Sequence, residues 1–141
     1  MTASSPLGNG REKRKGAFVP FKIIKPESAA RRALEPGRGY SLRLVDTGIG
    51  VESLDLHLNV LASGGPRGRL HRHTRSDNVY IVKSGEGLLT IENEDHVIVA
   101  NDVVLIPAGT RHALSNISGN DLVIYEIYAP AGAAFDFVGE A

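Results

Sequence analysis

The sequence predicts an all-β domain of many short antiparallel strands, folded as a sandwich or a barrel. From Tyr40 onward the apolar residues show no helical period and no internal repeat. Instead, short segments rich in Val, Ile and Leu follow one another, and turn-forming residues separate them at 85–87, 93–94 and 118–121. Short strands joined by tight turns are typical of all-β sandwiches and barrels.

The N-terminal part of the chain is predicted to lie outside this domain. Residues 1–17 are polar and rich in small residues, so they bury too little apolar surface to offset the entropy of ordering, and we expect a flexible tail. Residues 18–40 are expected to form an arm in which Phe18–Ile24 is extended. Between Pro26 and Leu34 the sequence allows one or two helical turns.

The segment from Leu54 to Val60 has the clearest strand pattern. Its apolar residues alternate with Asp55, His57 and Asn59, as expected of a strand with one apolar and one polar face. Further strands are predicted near residues 41–46, 79–83, 86–92, 96–100, 102–106, 112–116 and 121–129.

Composition limits the classes of partner. The chain has 141 residues, enough for one domain with a buried core. Its 16 basic and 16 acidic residues leave no net charge, so we expect neither a nucleic-acid nor a membrane partner. The absence of cysteine excludes disulfides and thiolate ligands, and no apolar run has the length of a signal-peptide core or membrane span. We therefore expect a cytoplasmic protein.

Three histidines predict a metal site. His71 and His73 are two residues apart, so on an extended strand both side chains lie on one face while Arg72 points away. His112, from a distant strand, can complete the cluster. Neutral imidazole is the commonest metal ligand in proteins, and three imidazoles with open positions suit a catalytic divalent ion better than a closed structural one.

The residues around the first two histidines form a spaced motif. Its pattern is glycine, five residues, His-x-His, three or four residues, glutamate, six residues, glycine. In this chain the pattern falls on Gly65, His71, His73, Asn78 and Gly85, with Asn78 in place of the glutamate.

A second motif surrounds the third histidine. Its pattern is glycine, five residues, Pro-x-Gly, two residues, histidine, three residues, asparagine. Here it falls on Asn101, Pro107, Gly109, His112 and Asn116, with only the first glycine replaced. With both motifs in order, the chain resembles a small single-domain member of the cupin superfamily.

The resemblance implies a fold and a set of ligands. The expected fold is a double-stranded β-helix, the jelly-roll cupin barrel, over residues 41–130, with a C-terminal extension at 131–141. His71, His73 and His112 are expected to project into one end of the barrel as metal ligands, with the Asn78 amide in place of the usual carboxylate. Fe(II) is the first choice of metal, and Mn, Ni or Zn are the alternatives.

Two alternatives to Asn78 as a ligand stay open. Asp77 also fits the permitted spacing, but a shift of one residue turns a side chain to the opposite face of a regular strand, so Asp77 can serve only if the chain bulges there. Asn78 can also form a hydrogen bond to a ligand histidine, which leaves a site of three histidines.

Residues for proton transfer are less clear from the sequence. His57 lies on the polar face of its strand and is a candidate base, or a hydrogen-bond donor behind the metal ligands, at the pocket mouth; solvent exposure or a dimer contact fits the same pattern. Tyr80 shares the strand parity of Asn78 and is a candidate wall of the site, although a core tyrosine fits the same pattern. On the last strand either Tyr125 or Glu126 faces inward, and parity does not decide between them.

Two functions fit these observations. The first is a metal-dependent enzyme, dioxygenase-like with Fe(II) or an isomerase or lyase with a redox-inert ion, acting on a small anionic carbonyl, enol or hydroxy-acid compound that chelates the metal. The second is a non-catalytic cupin that binds a small metabolite or metal. Small cupins commonly pair through barrel faces and N-terminal arms, so the resemblance also implies a homodimer, with a monomer as the alternative because a closed jelly roll protects most strand edges.

Overall fold

The structure, a computed structural model, describes residues 20–132 and the backbone of residues 135–137. Its strands are β1 (Arg31–Ala33), β2 (Gly39–Val45), β3 (Asp55–Leu61), β4 (His71–His73), β5 (Asp77–Ser84), β6 (Glu86–Ile91), β7 (Glu94–Val99), β8 (Val103–Ile106), β9 (His112–Asn116), β10 (Leu122–Ala129) and β11 (Phe135–Phe137). No helix within these described ranges is long and apolar enough to cross a membrane. The predicted tail at 1–17, the start of the arm and most of the predicted extension at 131–141 lie outside the described residues.

The strands form two antiparallel sheets. One sheet has six strands in the order β1-β2-β3-β10-β5-β8, and the other has five in the order β11-β4-β9-β6-β7. From β3 onward the chain passes repeatedly from one sheet to the other, and apolar side chains from both sheets pack in one core. This arrangement confirms the predicted all-β jelly-roll barrel.

The character of the barrel interior changes along its strands. On β10 the inward residues are first Leu122 and Ile124, which belong to the apolar core, and then Glu126 and Tyr128. The core thus fills one end of the barrel, and polar side chains lie at the other. The buried core residues are Leu61, Tyr80, Val82, Leu89, Ile98, Ile106, Leu114, Leu122 and Ile124.

Strand β3 presents its polar face to the barrel interior. His57 and Asn59 line an internal cavity, whereas Leu56 and Leu58 belong to a second apolar cluster on the other side of the sheet. That cluster also includes Leu42, which pairs with Leu58 across β2 and β3. The apolar face is therefore covered from outside the barrel, which leaves the polar face free to build a site.

The region between Pro26 and Leu34 contains less helix than the sequence allows. A single 3₁₀ turn, Pro26–Ser28, is followed by strand β1, which pairs with β2. The guanidinium carbon of Arg31 lies 4.1 Å from the centre of the Tyr40 ring, a favourable cation–π distance. Pairing with an available sheet edge outweighs the weak helical preference of this short segment.

Asn101 explains one departure from the second motif. It replaces the usual glycine and adopts φ 75°, in the left-handed region. Asparagine tolerates this conformation better than other residues with a side chain. The turn before β8 therefore keeps its backbone shape without glycine.

Candidate metal centre

Strands β4 and β9 bring the three histidines together. His71 and His73 lie on β4, and His112 begins β9 directly opposite His71. The centroids of the His71 and His112 rings are 4.3 Å apart, and the His73 centroid lies 5.0 and 5.3 Å from them. One ligand atom from each histidine lies within 4.8 Å of the others, a spacing that suits one metal ion.

Two of the rings are oriented by backbone carbonyl groups. His71 Nδ1 lies 2.7 Å from the Arg69 carbonyl oxygen, and His112 Nδ1 lies 2.9 Å from the Thr110 carbonyl oxygen. A carbonyl oxygen only accepts hydrogen bonds, so each Nδ1 donates its hydrogen and each Nε2 keeps its lone pair. This is the usual outer support of a metal-binding histidine.

The Nε2 atom of His112 shows that the residues fit a metal ion. His112 is fully buried, and this atom has no hydrogen-bond partner among the residues that the structure describes. Leaving a buried polar atom unsatisfied carries a free-energy cost, which a metal bond removes. Three neutral imidazoles on one site suit a divalent ion of intermediate hardness.

Burial keeps the imidazoles of His71 and His112 in the neutral form, which is the form that binds metals. It lowers the pKa of His112 from 6.5 to about 4, and the neighbouring His71 adds to the effect. Burial also lowers the pKa of His71, although the contact with the Arg69 carbonyl acts in the other direction. Both rings are therefore neutral at physiological pH.

Asn78 and Asp77 occupy different environments. Asn78 on β5 is fully buried, its Nδ2 donates to the Ile127 carbonyl oxygen at 3.0 Å, and its Oδ1 has no hydrogen-bond partner in the described part of the chain. Asp77 is exposed, and its carboxylate accepts a hydrogen bond from Ala108 N at 3.0 Å. The burial and the free amide oxygen favour Asn78 over Asp77 as the side chain directed into the barrel.

A cavity of about 260 Å³ borders the histidine cluster on the side of His71. His71 forms part of its wall, and residues from β2, β3, β5 and β10 form much of the rest. This volume is close to the lower end of the range for small-molecule sites. The polar or charged residues that matter most for its chemistry are Arg38, His57, Asn59, Tyr80, Glu126 and Tyr128.

Glu126 is the inward residue of the last barrel strand. It is 6% exposed, whereas Tyr125 packs in the cluster outside the sheet. Its Oε1 accepts a hydrogen bond from Asn59 Nδ2 at 2.5 Å. Burial raises the pKa of Glu126, while hydrogen bonds from Tyr128, Asn59 and Asn78 act against the rise. A buried carboxyl group with a raised pKa is a candidate for proton transfer.

The sequence contains one signal that is compatible with an inward Glu126. Glu126 shares the parity of Leu122 and Ile124 on the same strand, and a lone acid on an otherwise apolar face is unusual for a core. Choosing that face requires knowing that Tyr125 belongs to the outer cluster, which depends on contacts with β2 and β3. The strand alternation alone therefore leaves the choice open.

His57 and Tyr80 both line the cavity. His57 lies directly opposite Glu126 on β3, and Tyr80 lies opposite Glu126 on β5. Burial lowers the pKa of His57 to about 4, with a further contribution from Arg43. Burial raises the pKa of Tyr80, whose ring centroid is 6.3 Å from that of His112. At neutral pH both side chains are uncharged.

The comparison with known families agrees with this geometry. The family model described as Cupin domain matches residues 57–128. Over 126 residues the chain is 27% identical to the uncharacterized protein YrkC of Bacillus subtilis, a match that covers 84% of this chain and 59% of YrkC. The chain spans about half the length of the curated relatives it matches.

Solved structures with the same fold include two named proteins. KdgF from Halomonas sp. superposes with a TM-score of 0.71 at 18% identity, covering 80% of this chain and 96% of that one. Oxalate decarboxylase of Bacillus subtilis, a protein with Mn(II) centres, superposes with a TM-score of 0.65 at 21% identity, covering 74% and 29%. At these identities the likeness establishes the fold.

Proposed function

This chain belongs to the cupin family, and from that premise we propose that it is a metal-dependent enzyme acting on a small anionic compound that chelates the metal. The observation that carries the proposal is the position of the three histidines, whose ligand atoms lie within 4.8 Å of one another beside a cavity of about 260 Å³. A cavity next to a metal centre gives substrate access to the open coordination positions.

The donor set guides the choice of metal and substrate. Three neutral histidines leave the full charge of a divalent ion uncompensated, so a substrate carboxylate, enolate or hydroxy acid is favoured as a further ligand. Fe(II) is our first choice, and Mn(II), the metal of the related oxalate decarboxylase, follows, with Ni and Zn as alternatives. When bound, such an ion supplies polarisation of substrate oxygens and, for Fe(II), redox chemistry with oxygen.

Glu126 is proposed to move protons. Its carboxyl group faces the same cavity as His71, and its hydrogen bonds with Asn59 and Tyr128 hold it in one orientation. Because burial raises its pKa, the carboxyl group keeps its proton to higher pH than an exposed glutamate does, which suits a role in proton transfer. His57 and Tyr80, which flank it on the adjacent strands, are proposed to orient the substrate as uncharged hydrogen-bonding groups.

Asn78 is proposed as a weak fourth ligand. Its buried Oδ1 lacks a hydrogen-bond partner in the described structure, and an amide oxygen binds divalent ions without adding charge. This assignment leaves more positive charge at the centre than a glutamate would, which again favours an anionic substrate. Asp77 stays the alternative, although its carboxylate already accepts from Ala108 N.

A non-catalytic binding protein is the second candidate. The replacement of the family glutamate by Asn78 favours it, because a weaker donor set fits a protein that has lost catalysis. The buried acid Glu126 favours the enzyme, since ligand binding alone needs no proton-transfer group in the cavity that His71 lines. The expected homodimer and cytoplasmic location stay predictions.

The deciding experiment measures metal content and turnover together. Protein purified without chelator is assayed by elemental analysis, reconstituted anaerobically with Fe(II) or Mn(II), and given a panel of 2-oxo, 2-hydroxy and dicarboxylic acids. We expect near-stoichiometric metal and conversion of at least one acid. Conversion should fall at least about a hundredfold in Glu126→Gln with metal retained, whereas exposed Glu86→Gln should have no effect.

Two results would contradict the proposal in different ways. Metal-loaded protein that binds a chelating acid without converting any member of the panel supports the binding protein instead. Protein that takes up no metal under any of these conditions excludes the metal-dependent enzyme and leaves only a protein that binds a small metabolite.

A further inference from the structure

Arg38 is a largely buried cation on the wall of the cavity. It precedes β2, its side chain is 15% exposed, and it lines the same space as His71 and Glu126. A buried arginine requires partners for its charge and for its five N–H donors. The hydrogen bonds and ion pairs that Arg38 makes within the protein therefore show which of its N–H donors can still bind a ligand.

Contacts with the protein hold the Arg38 guanidinium in place but do not use all of its N–H donors. Its Nη2 donates to the Leu114 carbonyl oxygen at 3.0 Å, and its Nη1 lies 3.7 Å from a carboxylate oxygen of Glu35. Its Nε is buried and has no hydrogen-bond partner within residues 20–132. Glu35 is 44% exposed at a long distance, so the ion pair is weak and another anion can displace it.

Gly68 allows this placement. A Cβ atom at residue 68 would collide with the Arg38 guanidinium and would lie 2.9 Å from the Leu114 carbonyl oxygen. The guanidinium thus occupies space that any side chain at residue 68 would fill. Gly68 lies three residues before His71. The short segment that carries the first proposed metal ligand therefore also makes room for the Arg38 guanidinium.

The charges of the cavity favour a second anionic group on the ligand. Three arginines and two glutamates line it, and one of the glutamates, Glu126, is buried with a raised pKa. The positive charge of Arg38 contributes, after burial, to the lowered pKa of His71, and it also acts on Glu126. Arg38 is therefore within electrostatic reach of both the histidine centre and the buried acid.

We propose that the substrate is a small chelating dicarboxylic acid, such as a 2-hydroxy or 2-oxo dicarboxylate, and that Arg38 binds the carboxylate farther from the metal. The inference rests on the proposed metal-dependent function and adds the substrate class. One end of the acid lies at His71, His73 and His112, and the other accepts hydrogen bonds from the guanidinium, which suits planar carboxylates.

Binding of two matched acids tests the proposal. L-Malate and L-lactate share a chelating 2-hydroxy carboxylate, and malate adds a second carboxylate. By calorimetry on Mn(II)-loaded protein, we expect malate to bind at least about tenfold more tightly than lactate. Arg38→Gln should remove most of this preference and change lactate affinity less than threefold. Glu35→Gln, which removes the competing carboxylate, should raise malate affinity about two- to fivefold.

The controls separate the possible failures. Exposed Arg75→Gln removes the same charge outside the cavity and should leave the preference unchanged. If Arg38→Gln does not fold, the wild-type preference and Glu35→Gln still test the proposal. The inference about Arg38 fails if lactate binds as tightly as malate, or if a folded Arg38→Gln loses affinity for both acids equally. Either result leaves the proposed metal-dependent function standing. Absence of bound metal overturns the proposed function itself.

Discussion

His71 lies directly opposite His112 in the β4–β9 ladder, and the centroids of their rings are 4.3 Å apart. Strand β4 contributes a second inward histidine, His73, at the end of a three-residue strand. The centre is therefore made from two short strands of the same sheet. Its geometry depends on the pairing of those strands and on the carbonyl groups that orient the rings.

His112→Ala is expected to remove the bound metal. Loss of one of three imidazoles should lower metal affinity by at least tenfold, measured by competition with a chromogenic chelator. The matched control is His96→Ala, because His96 is exposed and lies 3.8 Å from Glu94, away from the cluster. Unchanged affinity in His112→Ala, or an equal loss in both variants, contradicts the three-histidine centre.

Asn78→Asp is expected to strengthen metal binding. A carboxylate at this buried position adds the negative charge that the site lacks, so affinity for Mn(II) should rise about tenfold, while the metal-free protein should unfold at lower temperature. Chelator competition and thermal unfolding measure the two effects. Asp77→Asn should leave metal affinity unchanged if Asn78 is the ligand. The reverse pattern identifies Asp77.

Much of the fold follows from local sequence patterns. The alternation in Leu54–Val60 and the motif around His112 predict β3 and β9, because side-chain direction and turn conformation are set within a few residues. Strand β1 was not predicted, since a three-residue strand is stable only beside its partner β2. Local patterns do not reveal such long-range pairing.

The candidate site was less predictable than the fold. Spacing identified the three histidines, but Glu126 and Arg38 acquire their importance from the packing of distant segments. Glu126 faces the cavity because Tyr125 packs outside the sheet, and Arg38 is buried because Gly68 leaves space for it. Both effects depend on contacts between residues far apart in the chain. Local patterns in a single sequence do not reveal such contacts.

Stability of the metal-free protein is expected to fall with acidification through His57. Burial lowers the pKa of His57 from 6.5 to about 4. Below pH 6.5 the imidazole is therefore protonated in the unfolded chain but stays neutral in the folded protein. The free energy of unfolding therefore decreases as pH falls from 6.5 toward 4. Between pH 7 and 4.5, the free energy of unfolding should decrease by about 1–2 kcal/mol less in His57→Gln than in the wild type. Urea unfolding at both pH values measures this.

His112 contributes a loss of the same sign, because burial lowers its pKa to about 4 as well. His57→Gln is therefore expected to reduce the pH dependence without abolishing it. Exposed His96→Gln is the control and should follow the wild-type curve. Identical curves for the wild type and His57→Gln contradict the burial of a neutral His57.

Glu126→Gln is expected to stabilise the protein at alkaline pH. Burial raises the pKa of Glu126 above 4.5, so over the interval between the unfolded and folded pKa values the folded protein keeps a proton that the unfolded chain has lost. Stability from this group is present below that interval and is lost as pH rises through it. The unfolding temperature of Glu126→Gln should exceed that of the wild type at pH 8 and match it near pH 4.

The matched control for Glu126→Gln is Glu86→Gln, since Glu86 is exposed at the start of β6. Thermal unfolding of the metal-free forms separates the effect from metal binding. If Glu126→Gln unfolds at a lower temperature than the wild type at pH 8, the hydrogen bond from Asn59 requires the carboxylate. That result would contradict the prediction that ionisation of Glu126 destabilises the folded protein.

Gly68→Ala is expected to destabilise the protein through Arg38. The added Cβ meets the Arg38 guanidinium and lies 2.9 Å from the Leu114 carbonyl oxygen, so the cost should be about 1–3 kcal/mol by urea unfolding. In a double-mutant cycle, Arg38→Gln should relieve part of this cost, and the contact with the backbone oxygen should keep the rest. Gly119→Ala is the control, because a Cβ there meets no atom within 4 Å in the described structure. Additive costs for Gly68→Ala and Arg38→Gln would show that the guanidinium does not occupy the space above Gly68.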